Sequence, residues 1–423
     1  MKIVIATAVY YPMINGVATF SHNLALGLAK RGNEVLVLCP SQTGKNYTRT
    51  EDGVKVCYLK SIEAKVYPDQ IHAVPKRKKF LGIKWPHLFY RHGFRVSVFP
   101  APEVKKILDD FRPDVVHVQI SDPIGLSVVS YARKNNVPVV TTEHNQPEVL
   151  TEPLKMPGVV RKPVNAMLSA YFANRQSKSD FVTMPTKKAI YNLLEGREFK
   201  VPVAAVSNGV DLSAFKPGKA TKEMYEKYGV PMGVPIVLYV GRVDPEKNVG
   251  TVVEAFSLVL EKVPEAVLVI VGDGVDKARL EQKVEEMGIN SSVRFLGRVI
   301  PPDLYELYKM GTVFVTASEV ETQGIVLIEA AASGLPLVAV DAGAVAEICV
   351  NNENGFLIAL DDEKRKSKNL EVPSMIAEAV STILEDKKLR ERFSVKSVEL
   401  AHEHDFEKTL DKFMNIYHKV INK

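Results

Sequence analysis

The stretch Glu-Thr-Gln-Gly-Ile-Val-Leu-Ile-Glu at 321–329 sets one carboxylate, Glu321, before an apolar run and a second, Glu329, inside it. Eight residues of helix at about 1.5 Å each would hold these acids roughly 12 Å apart along the axis. They cannot share one proton, and the span exceeds the about 5–9.5 Å between the carboxyls of a glycosidase acid/base pair. Carboxylates do bind vicinal hydroxyls. Gln323, Gly324 and Ile325 lie between them, where a helix would begin and its unpaired amides could receive phosphate oxygens. The ligand that fits is hydroxylated at both ends and anionic in the middle, which is the shape of a nucleotide sugar.

Three other constellations bear on the same ligand. In Gly-Arg-Val-Asp-Pro-Glu-Lys-Asn (241–248), Arg242 and Lys247 follow an apolar strand and open a helix, where they could neutralise a pyrophosphate. They could equally be solvated caps of a surface helix. Asn15-Gly16 joins the first strand to the first helix, and a glycine there admits backbone close to a ligand, although an ordinary tight turn uses the same pair. Glu143, His144 and Glu148 stand at the end of the strand Val-Pro-Val-Val-Thr-Thr-Glu-His (137–144), where open parallel sheets face their ligand. His144 is the candidate for contact with the reacting group, against the plainer reading of a hydrogen-bonded structural histidine. A dinucleotide fingerprint is weak: Gly272 and Gly274 have Lys277 where the third glycine belongs.

The elements that must position these residues alternate. Apolar strands at 2–9, 33–40, 113–119, 137–144 and 180–186 are separated by helical stretches, and the pattern restarts at 235–241, 266–272, 292–297, 312–318 and 335–340. Continuous apolar strands between helices mean parallel, doubly wound sheets covered on both faces. Two such sheets predict domains at 1–206 and 207–400, with the ligand in the cleft between them, and a terminal helix at 401–423 packing back toward the first domain. With 423 residues, 46% of them hydrophobic, each domain has material for its own core.

Composition narrows the setting. Cys39, Cys57 and Cys349 have no disulfide or metal spacing, which suits a reducing, cytoplasmic compartment. No apolar run reaches the roughly 20 residues of a spanning helix. The formal charge of +5 hides an asymmetry: residues 1–200 carry 29 Lys and Arg against 16 Asp and Glu, and the remainder 26 against 34. A basic half attracts anionic lipid or nucleic acid.

Taken together, Gly-Arg-x-x-x-x-Lys-Asn at 241–248, Gly-Asp-Gly at 272–274, Glu-x7-Glu at 321–329 and Asn-Gly-Val-Asp at 208–211 resemble the retaining glycosyltransferases of family 4, which have the two-Rossmann GT-B fold. The likeness spans nearly the whole chain. It implies that Glu321 holds donor-sugar hydroxyls and Glu329 the ribose, that Arg242 and Lys247 neutralise the pyrophosphate, and that Gly16 lets the first loop approach the phosphates. It also implies that His144 sits beside the transferred sugar and that backbone near Arg298 and Val299 meets the base. No metal or other cofactor is implied.

The acceptor must be read from the first half. From 70 to 102 there is no acidic residue, and Lys76, Arg77, Lys78 and Lys79 are followed by Trp85, the chain's only tryptophan, and Phe89. Basic residues beside anionic headgroups contribute about 1 kcal/mol each, and aromatic rings favour the interface. The expectation is a loop or broken helix on the inner face of a membrane, with no nucleic acid and no protein partner implied. The segment 159–178, with Val164, Met167, Leu168, Tyr171 and Phe172 flanked by basic residues, is either a second interfacial element or a core helix. Thr-Glu-His-Asn-Gln-Pro-Glu (142–148) and Ser-Glu-Val-Glu-Thr-Gln-Gly (318–324) resemble most the bacterial diacylglycerol glucosyltransferases, which implies transfer of glucose from UDP-glucose to 1,2-diacylglycerol. Mannosyl or galactosyl transfer to a phosphatidylinositol or a soluble sugar, and a sugar-nucleotide epimerase on the same fold, stay open.

Overall fold

A computed structural model describes the chain except residues 12, 14–15, 64–78, 81–82, 85–94, 120–121, 145–157, 195–199, 320 and 361–370. The chain divides into two compact units, Met1–Asn208 with Glu407–Lys423, and Gly209–Phe406.

The first unit is built on an eight-stranded sheet. Its spatial order is Val203–Ala205, Phe181–Met184, Val139–Thr142, Val115–Val118, Lys2–Ala6, Glu34–Pro40, Val54–Leu59 and Tyr47–Glu51. All neighbours are parallel except the last pair. The central strands are buried along their length because helices cover both faces, which is why they read as unbroken apolar runs. Tyr47–Glu51 was invisible to that pattern: it is a polar edge strand, exposed at its three central residues. Strand order reverses between Lys2–Ala6 and Val115–Val118, so their carboxyl ends flank an open crevice.

The helix Phe406–Ile421 completes this unit. Leu410, Phe413, Ile416, Tyr417 and Val420 are its buried stripe, and Arg31 ties its first turns down through Glu407 at 2.6 Å and Asp411 at 2.7 Å. Of the basic aromatic segment, Lys76, Arg77, Lys78, Trp85 and Phe89 lie outside the described residues, while Lys79 falls in a short strand, Lys79–Phe80, paired antiparallel with Ile83–Lys84. Among the described residues no helix is long and apolar enough to cross a membrane.

The second unit holds a six-stranded, wholly parallel sheet. Its order is Val293–Gly297, Val267–Val271, Ile236–Val240, Val313–Thr316, Leu337–Val340 and Gly355–Ile358. Alternate residues enter two cores. Val237 and Tyr239 pack on one face with Phe256 and Ile383, whereas Ile236, Leu238 and Val240 pack on the other with Tyr308 and Ile328. Here the order reverses between Ile236–Val240 and Val313–Thr316.

Candidate functional site

In the second unit the charged candidates gather at that switch point, where the rule for open α/β sheets puts a ligand. Arg242 and Lys247 follow the strand Ile236–Val240, and Ser318 and Glu321 follow Val313–Thr316. Lys247 Nζ lies 2.6 Å from Glu321 Oε1 and 3.3 Å from Ser318 Oγ, with side-chain exposures of only 16% and 14% for the ion pair. A cation and a carboxylate thus meet across 74 residues of sequence. Arg242 does not sit at a helix N-terminus as expected. A single 3₁₀ turn, Pro245–Lys247, intervenes before the helix Val249–Lys262, because Asn248 takes a left-handed φ of 49° that no α-helix tolerates. The Arg242 guanidinium is held instead by its near neighbours, Asp244 and, at 2.6 Å, Glu246.

The stretch 321–329 is shorter as a helix than its spacing suggests. The helix runs only from Ile325 to Ala332, and Gly324 precedes it at φ +78°, so the eight-residue ruler has a bend in it. A Cβ on Gly324 would lie 2.9 Å from Leu327 Cδ1, and the same left-handed backbone disfavours any side chain. Gln323 is buried beside this turn, and Ile325 is partly buried on the core. Glu321 is braced from behind: its carbonyl accepts from Ala344 N at 3.1 Å, and a Cβ on Gly343 would come within 2.1 Å of that oxygen.

Glu329 lies one turn into the helix. The Tyr308 hydroxyl donates to its Oε2 at 2.7 Å. Burial pushes the Glu329 carboxyl up to about 7, against the pull of that hydrogen bond. A carboxylate poised there gains most from a ligand that supplies further hydroxyl donors. Arg298 is exposed after the strand Val293–Gly297, and Val299 packs partly on the core.

Gly272 and Gly274 have a role that a cofactor fingerprint did not anticipate. A Cβ on Gly272 would fall 1.8 Å from Gly241 O, and one on Gly274 2.3 Å from Val243 O. Val243 N bonds Asp273 O at 2.9 Å, and Asp244 Oδ1 accepts from Val275 N at 3.1 Å. The glycines let two strand-end loops lie backbone to backbone, fixing the loop that carries Arg242. Ser318, Asn248 and Glu319 stand inside the motifs 241–248 and 318–324, but the spacing gave them no role: the Asn248 amide reaches Glu319 Oε1 at 3.0 Å and ties the Lys247 loop to that of Glu321.

In the first unit, Gly16 is the exposed first residue of the helix Gly16–Lys30, and Asn15 lies outside the described residues. His144 is 8% exposed at the end of Val139–Thr142. Its Nε2 lies 2.8 Å from Gln119 Oε1, and Phe20 meets its ring edge-on at 5.4 Å. Burial pushes the imidazole down to about 3, so it is neutral at physiological pH and cannot serve as a proton donor of the charged kind. Glu143 is buried and accepts from Gln176 Nε2 at 2.9 Å. The helix Gly158–Gln176 turns Asn165, Ser169 and Gln176 inward and leaves Met167 and Tyr171 64% and 50% exposed. Three polar residues thus lie on its inner side and two large apolar ones on its outer side, with Val164 and Leu168 half-buried and Lys162 exposed.

Two open α/β sheets, one with a cation and a carboxylate paired at its switch point, define a transferase-like architecture of the GT-B kind. Comparison with known proteins gives the family. The model described as "Glycosyltransferase Family 4" matches residues 14–214, and that of "Glycosyl transferases group 1" matches 220–397. The chain belongs to these glycosyltransferases. It is 28% identical over 80% of its length to the alpha-monoglucosyldiacylglycerol synthase of Streptococcus pneumoniae, covering 71% of that protein. It is 29% identical over 85% of its length to a GDP-mannose-dependent alpha-mannosyltransferase of Mycolicibacterium smegmatis, covering 85% of it. Among solved structures, Anabaena HepE in complex with UDP-glucose superposes with a TM-score of 0.68 at 15% identity, over 99% of this chain and 100% of that one, a likeness of fold.

Proposed function

We propose that this glycosyltransferase moves a hexose, with retention, from UDP-glucose to a membrane lipid such as 1,2-diacylglycerol. The observation that carries the donor half is the Lys247–Glu321 pair at the switch point, with Glu329 eight residues on. Lys247 and Arg242 would take the diphosphate, the sugar-side carboxylate Glu321 being tethered beside the phosphate-side cation, and Glu329 would accept from the ribose hydroxyls. Such fixed cations stabilise charge as it develops on the leaving diphosphate. The bond from the anomeric carbon to phosphate oxygen breaks, the acceptor hydroxyl forms its bond on the same face, and the departing phosphate takes the hydroxyl proton. Neutral His144 would accept a hydrogen bond from the transferred sugar and so orient it. Gly16 would admit the first loop to the phosphates, and backbone at Arg298 and Val299 would meet the base.

Support for a lipid acceptor comes from the basic aromatic segment 75–95, from the exposed Met167 and Tyr171 of the helix Gly158–Gln176, and from the relative named as a diacylglycerol glycolipid synthase. The enzyme would act from the cytoplasmic side as a peripheral protein. Incubation with radiolabelled UDP-glucose, with and without diacylglycerol vesicles, is the test, and label should enter lipid only when vesicles are present. Label in neither lipid nor any free acceptor would sink the proposal. A GDP-mannose arm separates the donor suggested by the mannosyltransferase relative. Replacing residues 76–79 by serine should weaken liposome flotation, and unchanged flotation removes that segment from the membrane.

A further inference from the structure

Among the described residues, Phe99 is the most exposed large apolar side chain, at 90%, and its backbone is left-handed with φ 50°. For a bulky residue that conformation is an outlier, and strain of about 1–3 kcal/mol persists only where the surroundings enforce it. A glycine would sit there at ease. Neither the core of the first unit nor the reaction above uses the ring.

Phe99 stands beside a small ribbon in which Ser61–Glu63 and Arg95–Ser97 pair antiparallel, Ser61 opposite Ser97 and Ile62 opposite Val96. Side chains alternate across it: the two serines are buried, while Ile62 is 57% exposed and Val96 partly so. Val98 follows at 41%. The polar face is the one held against the protein, because Arg95 Nε donates to Ser61 Oγ at 2.9 Å and Ser61 Oγ donates to the carbonyl of Ser41. An antiparallel pair with one wet face ordinarily turns its apolar side inward. Here Ile62, Val96, Val98 and Phe99 offer apolar surface to solvent.

The ribbon leaves the sheet at its working edge. Its first strand begins two residues after Val54–Leu59 ends, and Ser41, just past Glu34–Pro40, donates its N–H to Leu59 O at 2.7 Å. Both of those strands run parallel to Val139–Thr142, so their carboxyl ends share the edge where His144 stands. The sequence between the two ribbon strands, 64–94, carries seven Lys and Arg against one Asp. An acidic protein or a nucleic acid would match that charge alone. Apolar side chains beside it match a bilayer interface, where acyl chains take up the ring and anionic headgroups repay each basic residue by about 1 kcal/mol.

We propose that Phe99, with Ile62, Val96 and Val98, is an anchor that enters the interface of an anionic bilayer and sets this edge of the first unit on the membrane. The inference rests on the reading that the acceptor is a membrane lipid, since the anchor brings the strand ends to the depth of the lipid headgroup.

The test uses the full chain with a single reporter. Trp85 is the only tryptophan, so Trp85→Phe combined with Phe99→Trp leaves one indole, at the anchor. With vesicles of phosphatidylcholine and phosphatidylglycerol brominated in the acyl chains, its emission should move to the blue and be quenched. Phe99→Ser should lower the vesicle partition coefficient about tenfold in flotation, by the same factor at low and high salt, because burial of a ring is not screened. Phe99→Gly relieves the left-handed strain, so it should weaken flotation equally while the unfolding midpoint falls by no more than about 3 °C. A larger fall would make Phe99 a structural residue and overturn the anchor. An indole that stays unquenched while the protein floats, or a Phe99→Ser variant that floats as well as the unaltered chain, overturns the anchor and leaves the lipid acceptor standing. If the unaltered chain does not float, both fall. A dimer in sedimentation that Phe99→Ser dissolves would assign the face to a second copy and also overturn the proposal.

Discussion

The two units hold their candidate polar groups by opposite physics. At the switch point of the second, the groups are charged and already paired: Lys247 with Glu321, and Arg242 with Asp244 and Glu246. At the strand ends of the first they are neutral and deeply buried: His144, Gln119, His117 and Thr142. Under the proposed function the difference is a division of labour. A leaving diphosphate gathers negative charge and is helped by fixed cations, whereas a sugar hydroxyl gathers little and is helped by a hydrogen-bonding group that cannot wander.

The comparison breaks most readily at Lys247. Under the proposed function, Lys247→Ala removes the cation facing the developing charge and leaves Glu321 without its partner, so kcat/KM for the donor should fall about 10³-fold, roughly 4 kcal/mol. Steady-state kinetics with UDP-glucose check this, and a loss under tenfold would move the phosphate site elsewhere. His144→Ala should cost less, on the order of 10²-fold, and mainly in kcat, because only orientation is lost. Its companion is a pH profile. The imidazole titrates near 3, so it should contribute no inflection to kcat between pH 5 and 8. An inflection near 6.5 that vanishes in His144→Ala would mean the ring is charged in the working enzyme, and the contrast between the units would collapse.

How much of this was legible in sequence follows the same divide. The donor-side candidates lie in two local motifs, 241–248 and 321–329, and a motif displays its spacing. What the spacing could not display was the bend at Gly324, which needs a left-handed backbone, or the 3₁₀ turn that takes Arg242 off the helix end. Gly272 and Gly274 were visible as glycines, but their reason is a contact with Gly241 and Val243 some thirty residues away. Most of the central parallel strands announced themselves as apolar runs, but Val54–Leu59, broken by the exposed Lys55, did not. The edge strands Val203–Ala205 and Gly355–Ile358 were also missed, whereas the edge strand Val293–Gly297 was legible. The contact of Tyr417 with His117 left no local trace, because the two are joined by fold alone across 300 residues.

The smallest effects test whether Glu329 belongs with the charged site or with the neutral one. Its carboxyl sits near 7 when free, above the ordinary 4.5. If ribose hydroxyls donate to the ionised form, donor binding must release a proton below pH 7, and affinity for UDP should rise about tenfold from pH 6 to 8. Calorimetry in buffers of different ionisation heat measures both, and Glu329→Gln should flatten the curve. The same shift has a stability consequence of opposite sense. A carboxyl whose folded value is raised favours the protonated native state, so its ionisation costs roughly 3 kcal/mol, absent below about pH 4.5 and fully present above about pH 7. Tyr308→Phe isolates the one hydrogen bond that opposes burial. Without it the Glu329 carboxyl should titrate higher still, so UDP affinity at pH 7 should drop about three- to fivefold and the midpoint of its pH dependence should move upward. A uniform weakening at every pH, with the midpoint fixed, would show that Tyr308 acts by packing alone, and would leave Glu329 as a buried structural acid of the same kind as Glu143.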